Sequence, residues 1–143
     1  MRLPDVNVLV YAFRGDAAAH EPVRRFFDEM VASPQPFGIS ELVAGGFLRV
    51  VTHPKVFRTP TGVDDAIGFV EAVIAQPNAI RLRPGPRHLG IFVRLCHDVG
   101  ARGNLVPDAY HAALAIEHGC EWVTTDRDYA RFPELRWRHP LDP

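Results

Sequence analysis

The sequence contains almost no lysine. Of its 16 basic residues only Lys55 is a lysine, in a loop flanked by prolines, and the others are arginines. A catalytic lysine is therefore available at one loop position only. Arginine suits phosphate recognition, but in a chain rich in alanine, glycine and proline we interpret the arginine content as coding bias.

Cysteine and net charge are also scarce. The two cysteines, Cys96 and Cys120, lie far apart and match no CxxC or zinc-binding spacing, so the sequence predicts reduced thiols in a cytoplasmic protein. The formal net charge is -1. Binding of nucleic acid would therefore depend on a local basic patch and not on the charge of the whole surface.

Long apolar runs are absent. No run approaches the roughly 18 apolar residues of a membrane span, and the N-terminus lacks the pattern of a secretory signal. We therefore expect a chain that is neither secreted by such a signal nor inserted in a membrane. With 47% apolar and 23% charged residues, the 143-residue length predicts one domain, residues 1–143, with a sizeable core.

Short apolar segments alternate with helical patterns along the chain. The predicted strands are 3–12, 36–39, 79–83, 121–125 and 135–138, and the predicted helices are 20–32, 40–53, 63–76, 87–100 and 105–119. Strands separated by helices predict an α/β fold, a three-layer sandwich with a mainly parallel central sheet flanked by helices. In such sheets ligands bind beyond the carboxyl ends of the strands.

Four carboxylates fall at junctions between these elements. Asp5 lies in the apolar first segment, Glu41 and Asp108 lie in first turns of helices, and Asp126 follows a strand. Taken singly, such residues often complement a helix dipole or form a turn. Asp5 is harder to explain, because an isolated carboxylate is costly to bury. Carboxylates that meet at one sheet edge repel each other unless a cation is present, and oxygen ligands suit Mg²⁺ or Mn²⁺.

The segments around these acids resemble a known family. They read LPDVNVLVYAF, SELVAGGFLRVVTHP, GNLVPDAYHAALAIEHG and WVTTDRDYARFP. Together they are similar to PIN domains, and specifically to the VapC-type toxin ribonucleases of bacterial toxin–antitoxin pairs, from Leu3 to about Trp137. The resemblance implies a PIN-like fold and an endoribonuclease that depends on Mg²⁺, with Mn²⁺ as the other candidate ion. It also implies an RNA substrate, a VapB-type antitoxin and a homodimer.

The resemblance also implies roles for individual residues. The catalytic acids would be Asp5, Glu41, Asp108 and Asp126, of which Asp5, Asp108 and Asp126 would bind the metal. Asn7, Thr125 and Asp128 would support the site. The resemblance further implies that the first strand ends at Asp5 and a helix follows, where the apolar pattern alone predicts a strand extending to residue 12.

Other polar residues have more ordinary interpretations. Arg14, Arg102 and Arg127 flank the motifs and could contact RNA phosphates, but ordinary surface arginines are an equally good reading. His111 is one turn from Asp108, and we expect it on a solvated helix surface. Apolar residues of helices 20–32 and 63–76 are expected mostly in the core, with an exposed remainder that the resemblance assigns to the homodimer and the antitoxin.

Three alternatives to the nuclease can be compared with the sequence. A phosphatase of the haloacid dehalogenase type also begins with an aspartate after the first strand, but it needs a second acid where this chain has Asn7, and a lysine that this chain lacks there. A phospho-accepting receiver domain fails on the same lysine. A catalytically inactive PIN-like module that binds RNA or protein stays open, although the presence of all four acids argues against it.

Overall fold

Five parallel strands form one central sheet in the computed structural model, which describes residues 1–143. In chain order they are β1 (Arg2–Pro4), β2 (Phe37–Ser40), β3 (Ala79–Leu82), β4 (Glu121–Val123) and β5 (Trp137–Arg138). Their order across the sheet is β3-β2-β1-β4-β5, and every neighbouring pair is parallel. The predicted α/β architecture is confirmed.

Six helices connect and cover these strands, as parallel pairing requires. They are α1 (Val6–Phe13), α2 (His20–Ala32), α3 (Glu41–Val51), α4 (Val63–Ile74), α5 (His88–Val99) and α6 (Leu105–Glu117), and a 3-10 helix spans Arg127–Arg131. Helix α1 packs on α2 and α3, α3 on α4, and α5 on α6. No helix is both long and apolar enough to cross a lipid bilayer.

The first apolar segment is where the pattern-based prediction of a strand over 3–12 is wrong. β1 ends at Pro4, and α1 begins at Val6 because the Asp5 carboxylate caps it, with Oδ1 accepting a hydrogen bond from the backbone N–H of Val6 at 2.6 Å. Four residues of α1 are buried: Val8, Leu9, Val10 and Ala12. A helix buried on most sides lacks the helical period that separates it from a strand.

The other helices begin and end close to the predicted positions. Ser40 caps α3, its Oγ accepting from the N–H of Leu42 at 3.2 Å. Gly100 ends α5 with a φ of 59°, in the left-handed region that glycine tolerates best. One continuous core joins the sheet to the helices, and its largest buried side chains include Phe37, Phe47 and Trp122.

Candidate active site

Asp5 lies at the carboxyl end of the central strand and is held by three hydrogen bonds. In addition to the Val6 contact, its Oδ2 accepts from Thr124 Oγ1 at 2.6 Å and from Asn7 Nδ2 at 2.8 Å. The Asp5 backbone N–H also donates to the carbonyl of Val123 at 2.8 Å. With 6% exposure, Asp5 is a buried carboxylate in a fixed position.

Thr124 organises this side of the site. Its Oγ1 accepts from Asn7 Nδ2 and from the backbone N–H of Asp126, both at 3.0 Å. Thr125, the threonine named by the resemblance, contributes its backbone N–H, which donates to Asn7 Oδ1 at 3.1 Å. The register explains which threonine points to Asp5: Pro4 is opposite Val123, so Thr124 is next in line with Asp5.

Two more aspartates line the same cleft, which has a volume of about 970 Å³. Asp108, in the first turn of α6, is half-buried and accepts a hydrogen bond from Tyr129 Oη at 3.4 Å. Asp126 caps the 3-10 helix, its Oδ1 accepting from the N–H of Asp128 at 2.8 Å. The side chain of Asp128 is exposed and is not part of the cleft wall.

The three aspartates influence one another electrostatically. Burial, together with the negative charges of Asp108 and Asp126, raises the pKa of Asp5 to about 6, although its hydrogen bonds to Thr124 and Val6 act in the opposite direction. Burial and then the charge of Asp126 raise the pKa of Asp108. Burial and all three carboxylates raise the pKa of Tyr129, which therefore stays a protonated donor. The cleft concentrates negative charge, and none of the three aspartates forms a salt bridge, although Arg49 lines the same cleft.

A family comparison assigns nearly the whole chain to one family. The family model described as PIN domain matches residues 2–135. The chain belongs to the PIN domain family. It is 48% identical to VapC ribonuclease Mb2897 of Mycobacterium bovis over 138 residues, which cover 96% of this chain and 94% of that protein. It is 46% identical to Ribonuclease VapC25 of Mycobacterium tuberculosis, with 98% and 99% covered.

Solved structures support the same fold for this PIN domain. VapBC2 from Rickettsia felis, bound to a DNA fragment from its promoter, aligns with a TM-score of 0.70 at 15% identity, covering 96% of this chain and 97% of the other. VapBC-1 from nontypeable Haemophilus influenzae aligns with a TM-score of 0.70 at 13% identity, covering 99% and 98%. At such identities the likeness concerns the fold alone.

The donor chemistry of the PIN domain cleft fits a hard divalent cation. As the side chains stand, no group of three or more His, Cys, Asp or Glu residues is close enough to hold a metal ion. Mg²⁺ does not require such a group, because it usually keeps several waters and binds through one or two carboxylates. Carboxylate oxygens that repel one another in a partly buried cleft are suitable ligands for that ion.

Glu41 is not brought together with the three aspartates. Its Oε1 accepts from Arg83 Nε at 2.9 Å and from Arg83 Nη2 at 2.6 Å, and it does not line the cleft. The Glu41 and Arg83 side chains are 55% and 67% exposed. The sequence predicts the position of Glu41 after β2 correctly, but it does not predict the direction of the side chain.

The three arginines predicted near the motifs differ in their freedom. Arg14 pairs with Asp16 at 2.6 Å, donates to Thr59 O and Thr61 Oγ1, and lies 4.0 Å over the Phe57 ring. Its guanidinium therefore fixes the 57–61 loop. Arg127 pairs with Asp142 at 3.0 Å, and Arg102 is exposed. The arginine that lines the cleft is Arg49, which lies within the segment SELVAGGFLRVVTHP and in the last turn of α3 but was not among the predicted site residues.

The prediction that His111 lies on a solvated surface is wrong. His111 is 8% exposed, lines the cleft, and stacks on Trp122 with ring centroids 5.2 Å apart. Burial lowers the pKa of His111 to about 4, so the ring is neutral at ordinary pH. The prediction was misled by the polar character of the histidine side chain. Most of the circumference of α6 is buried, including Ala109 and the run Ala112–Ala115 beside His111.

Proposed function

We propose that this PIN domain, residues 1–143, is a VapC-like endoribonuclease that hydrolyses RNA phosphodiester bonds with the help of a divalent metal ion. The observation that supports the proposal is that Asp5, Asp108 and Asp126, from three separate parts of the fold, line one cleft at the carboxyl edge of the sheet. Relatives named ribonucleases at 46–48% identity support the reaction class.

In this proposal Asp5, Asp108 and Asp126 would hold Mg²⁺, with Mn²⁺ as an alternative. The chemistry supplied by such an ion is the activation of a water molecule and the stabilisation of charge that develops on the phosphate. The protein groups around it position the ligands. Thr124 and Asn7 hold Asp5 by hydrogen bonds, and protonated Tyr129 donates to Asp108.

We keep Glu41 as the fourth acid of the proposed site. It follows β2, which is the neighbour of β1, so its backbone is at the same edge of the sheet as Asp5. Its ion pair with Arg83 is exposed, and pairs of this kind contribute about 0–1 kcal/mol. Movement of the Glu41 side chain from Arg83 to a site that holds metal and substrate would therefore require little free energy.

RNA and protein partners follow from the same proposal. Arg49 in the cleft wall and exposed Arg102 are the arginines best placed to contact RNA phosphates. Structural neighbours include VapBC complexes, and we propose a VapB-type antitoxin and a homodimer for this chain in the cytoplasm. Apolar side chains for such contacts are exposed on α4 and α5, including Val63, Leu89 and Val93, whereas α2 exposes no large one.

The proposal is tested by cleavage of total cellular RNA with the purified protein. Wild type and Asp108→Asn are compared in EDTA and after Mg²⁺ or Mn²⁺ is restored. We expect discrete cuts that require both the metal and Asp108, and mapping their ends identifies the target RNA. Absence of cleavage by folded wild type with either metal would contradict the proposal and favour an inactive PIN-like binding module.

A further inference from the structure

His111 is a buried polar residue that the proposed mechanism does not use. It lies on α6 one turn beyond Asp108, so both side chains reach the same cleft. Its imidazole packs against Trp122 at an interplanar angle of 24°. The ring is therefore held in one orientation beside the acidic site, on an element that also carries one of the proposed metal ligands.

The two nitrogens of His111 have different surroundings. Nδ1 is sealed from solvent and has no hydrogen-bond partner, and the same is true of Nε1 in the neighbouring Trp122. An indole N–H can only donate, whereas a neutral imidazole has one donor and one acceptor nitrogen. A proton on Nδ1 would be a buried N–H without an acceptor, which is costly, so the neutral ring carries its proton on Nε2 and Nδ1 is the unprotonated nitrogen. Nε2 has no protein partner either, but it is not sealed, and it belongs to a residue in the cleft wall.

The cleft beside His111 suits a nucleobase better than another phosphate. Three carboxylates already occupy the region, so a further anion would be repelled. The rest of the wall is largely apolar and aromatic, with Tyr11, Val56, Phe57 and Leu141 among its residues. RNA-binding proteins commonly read unstacked bases through apolar or aromatic contacts combined with a few hydrogen bonds to the base edge.

We propose that His111 is a specificity-determining residue whose Nε2–H donates a hydrogen bond to the edge of an RNA base bound in the cleft next to the scissile phosphate. This inference rests on the proposed function, because it takes RNA as the ligand. It assigns His111 no part in proton transfer. Its role is to make one base preferable to the others at that position.

The first test measures binding without cleavage. Fluorescein-labelled single-stranded RNA oligonucleotides that differ in one base are titrated in EDTA, and Kd is obtained from anisotropy. The variants are His111→Phe, which keeps a ring but removes the donor, His111→Gln, whose amide reaches the place of Nε2, and His111→Asn, whose amide imitates Nδ1. His97→Gln is the control, since His97 is an exposed histidine on α5.

We expect His111→Phe and His111→Asn to weaken binding of the preferred oligonucleotide about 5- to 10-fold, as for the loss of one hydrogen bond. Binding of the other oligonucleotides should change little. Gln is expected to retain the preference, and His97→Gln to leave it unchanged. An equal loss for all four bases, an unchanged preference in His111→Phe, or rescue by Asn instead of Gln would each overturn the inference. Thermal unfolding of each variant identifies any that fails to fold.

Cleavage separates this inference from the proposed function. With Mn²⁺ restored, His111→Phe is expected to cut at a broader set of sites with a raised KM and a kcat within about twofold, as for loss of a binding contact. If folded wild type distinguishes bases in EDTA but cuts no RNA with either metal, the proposed nuclease fails and the base contact stands. If wild type cuts and His111→Phe keeps its site distribution, the base contact fails and the nuclease stands.

Discussion

Asp5 and Glu41 occupy equivalent places in the sequence but very different places in the fold. Each follows a parallel strand and lies at the start of a helix, and the two strands are neighbours. Asp5 is buried and bound by a threonine, an asparagine and a backbone N–H. Glu41 is exposed and bound by a single arginine, Arg83, which directly follows β3. One carboxylate is part of the interior, and the other is part of the surface.

The difference shows what makes a carboxylate part of a built site. A strand end brings an acid to the right edge of the sheet, but only contacts from other elements fix its direction. For Asp5 those contacts come from Thr124, directly after β4, and from the start of its own helix, and burial of the carboxylate accompanies them. For Glu41 a second conformation requires only the loss of an exposed ion pair.

The largest expected effect is the loss of cleavage in Asp5→Asn. We expect RNA cleavage to fall by about 10²- to 10⁴-fold, because a charged ligand is replaced by a neutral amide. The variant should still fold, because a neutral amide is easier to bury than a carboxylate, and this gain opposes the loss of an acceptor at the amide nitrogen. Glu41→Gln should lose less activity than Asp5→Asn in the same fluorogenic RNA assay. Equal losses in the two variants would break the contrast between the two acids.

A smaller effect is expected where the support of Asp5 is removed. Thr124→Val deletes the hydroxyl that donates to Asp5 and accepts from Asn7 and Asp126, so cleavage should fall about 10- to 100-fold. The free energy of unfolding should fall by about 1–3 kcal/mol, because buried polar groups lose their partner. Thr125→Val is the matched control, since Thr125 contacts the site through its backbone. A larger loss in Thr125→Val than in Thr124→Val would contradict the observed geometry.

The pH dependence of stability extends the comparison of buried and exposed groups to histidine. Burial lowers the pKa of His111 from 6.5 to about 4, so between these pH values the unfolded chain binds a proton at His111 and the folded chain does not. The contribution of neutral His111 to the free energy of unfolding is therefore complete above pH 6.5 and is lost as the pH falls toward 4, by about 3 kcal/mol in total. Urea unfolding of His111→Phe should show a flatter decline over this range.

Exposed His97 provides the control for that measurement. His97→Gln is expected to decline with pH as wild type does. Asp5 acts in the opposite sense, because its raised pKa favours the folded state as pH falls, but it is common to all three proteins and cancels in their differences. Parallel curves for wild type and His111→Phe would show that His111 is not a buried neutral group.

The smallest effect is expected at the exposed pair. Arg83→Gln and Glu41→Gln should each change the free energy of unfolding by less than about 1 kcal/mol, and the difference from wild type should shrink in high salt as the charges are screened. Arg83→Gln is not expected to lower RNA cleavage, because it removes only the partner that holds Glu41 outside the cleft. A loss of several kcal/mol would show that the pair is structural.

Much of the fold could be predicted from the sequence because its signals are local. Strand and helix alternation indicated the parallel sheet. Ser40 and Gly100 mark helix ends, Ser40 through its side-chain oxygen and Gly100 through its left-handed backbone. The short helix after Asp5 was implied by family resemblance and missed by the apolar pattern. A segment buried on most sides carries too little polar contrast to reveal its period.

The details of the site could not be predicted in the same way, because they depend on register and direction. Whether Thr124 or Thr125 faces Asp5 follows from the alignment of β4 with β1, which no local pattern contains. Glu41 points to Arg83 and His111 packs on Trp122 through contacts between distant parts of the chain. Residue types and spacing located the acids, and only the assembled sheet determined their surroundings.

The hydrogen bond between Thr124 and Asp5 also has a consequence for synthesis. The two residues are 119 positions apart in the sequence. A ribosome must therefore translate the whole segment between them before β4 can pair with β1 beside the first aspartate. We expect the nascent chain to carry an incomplete acidic site until that segment has been made.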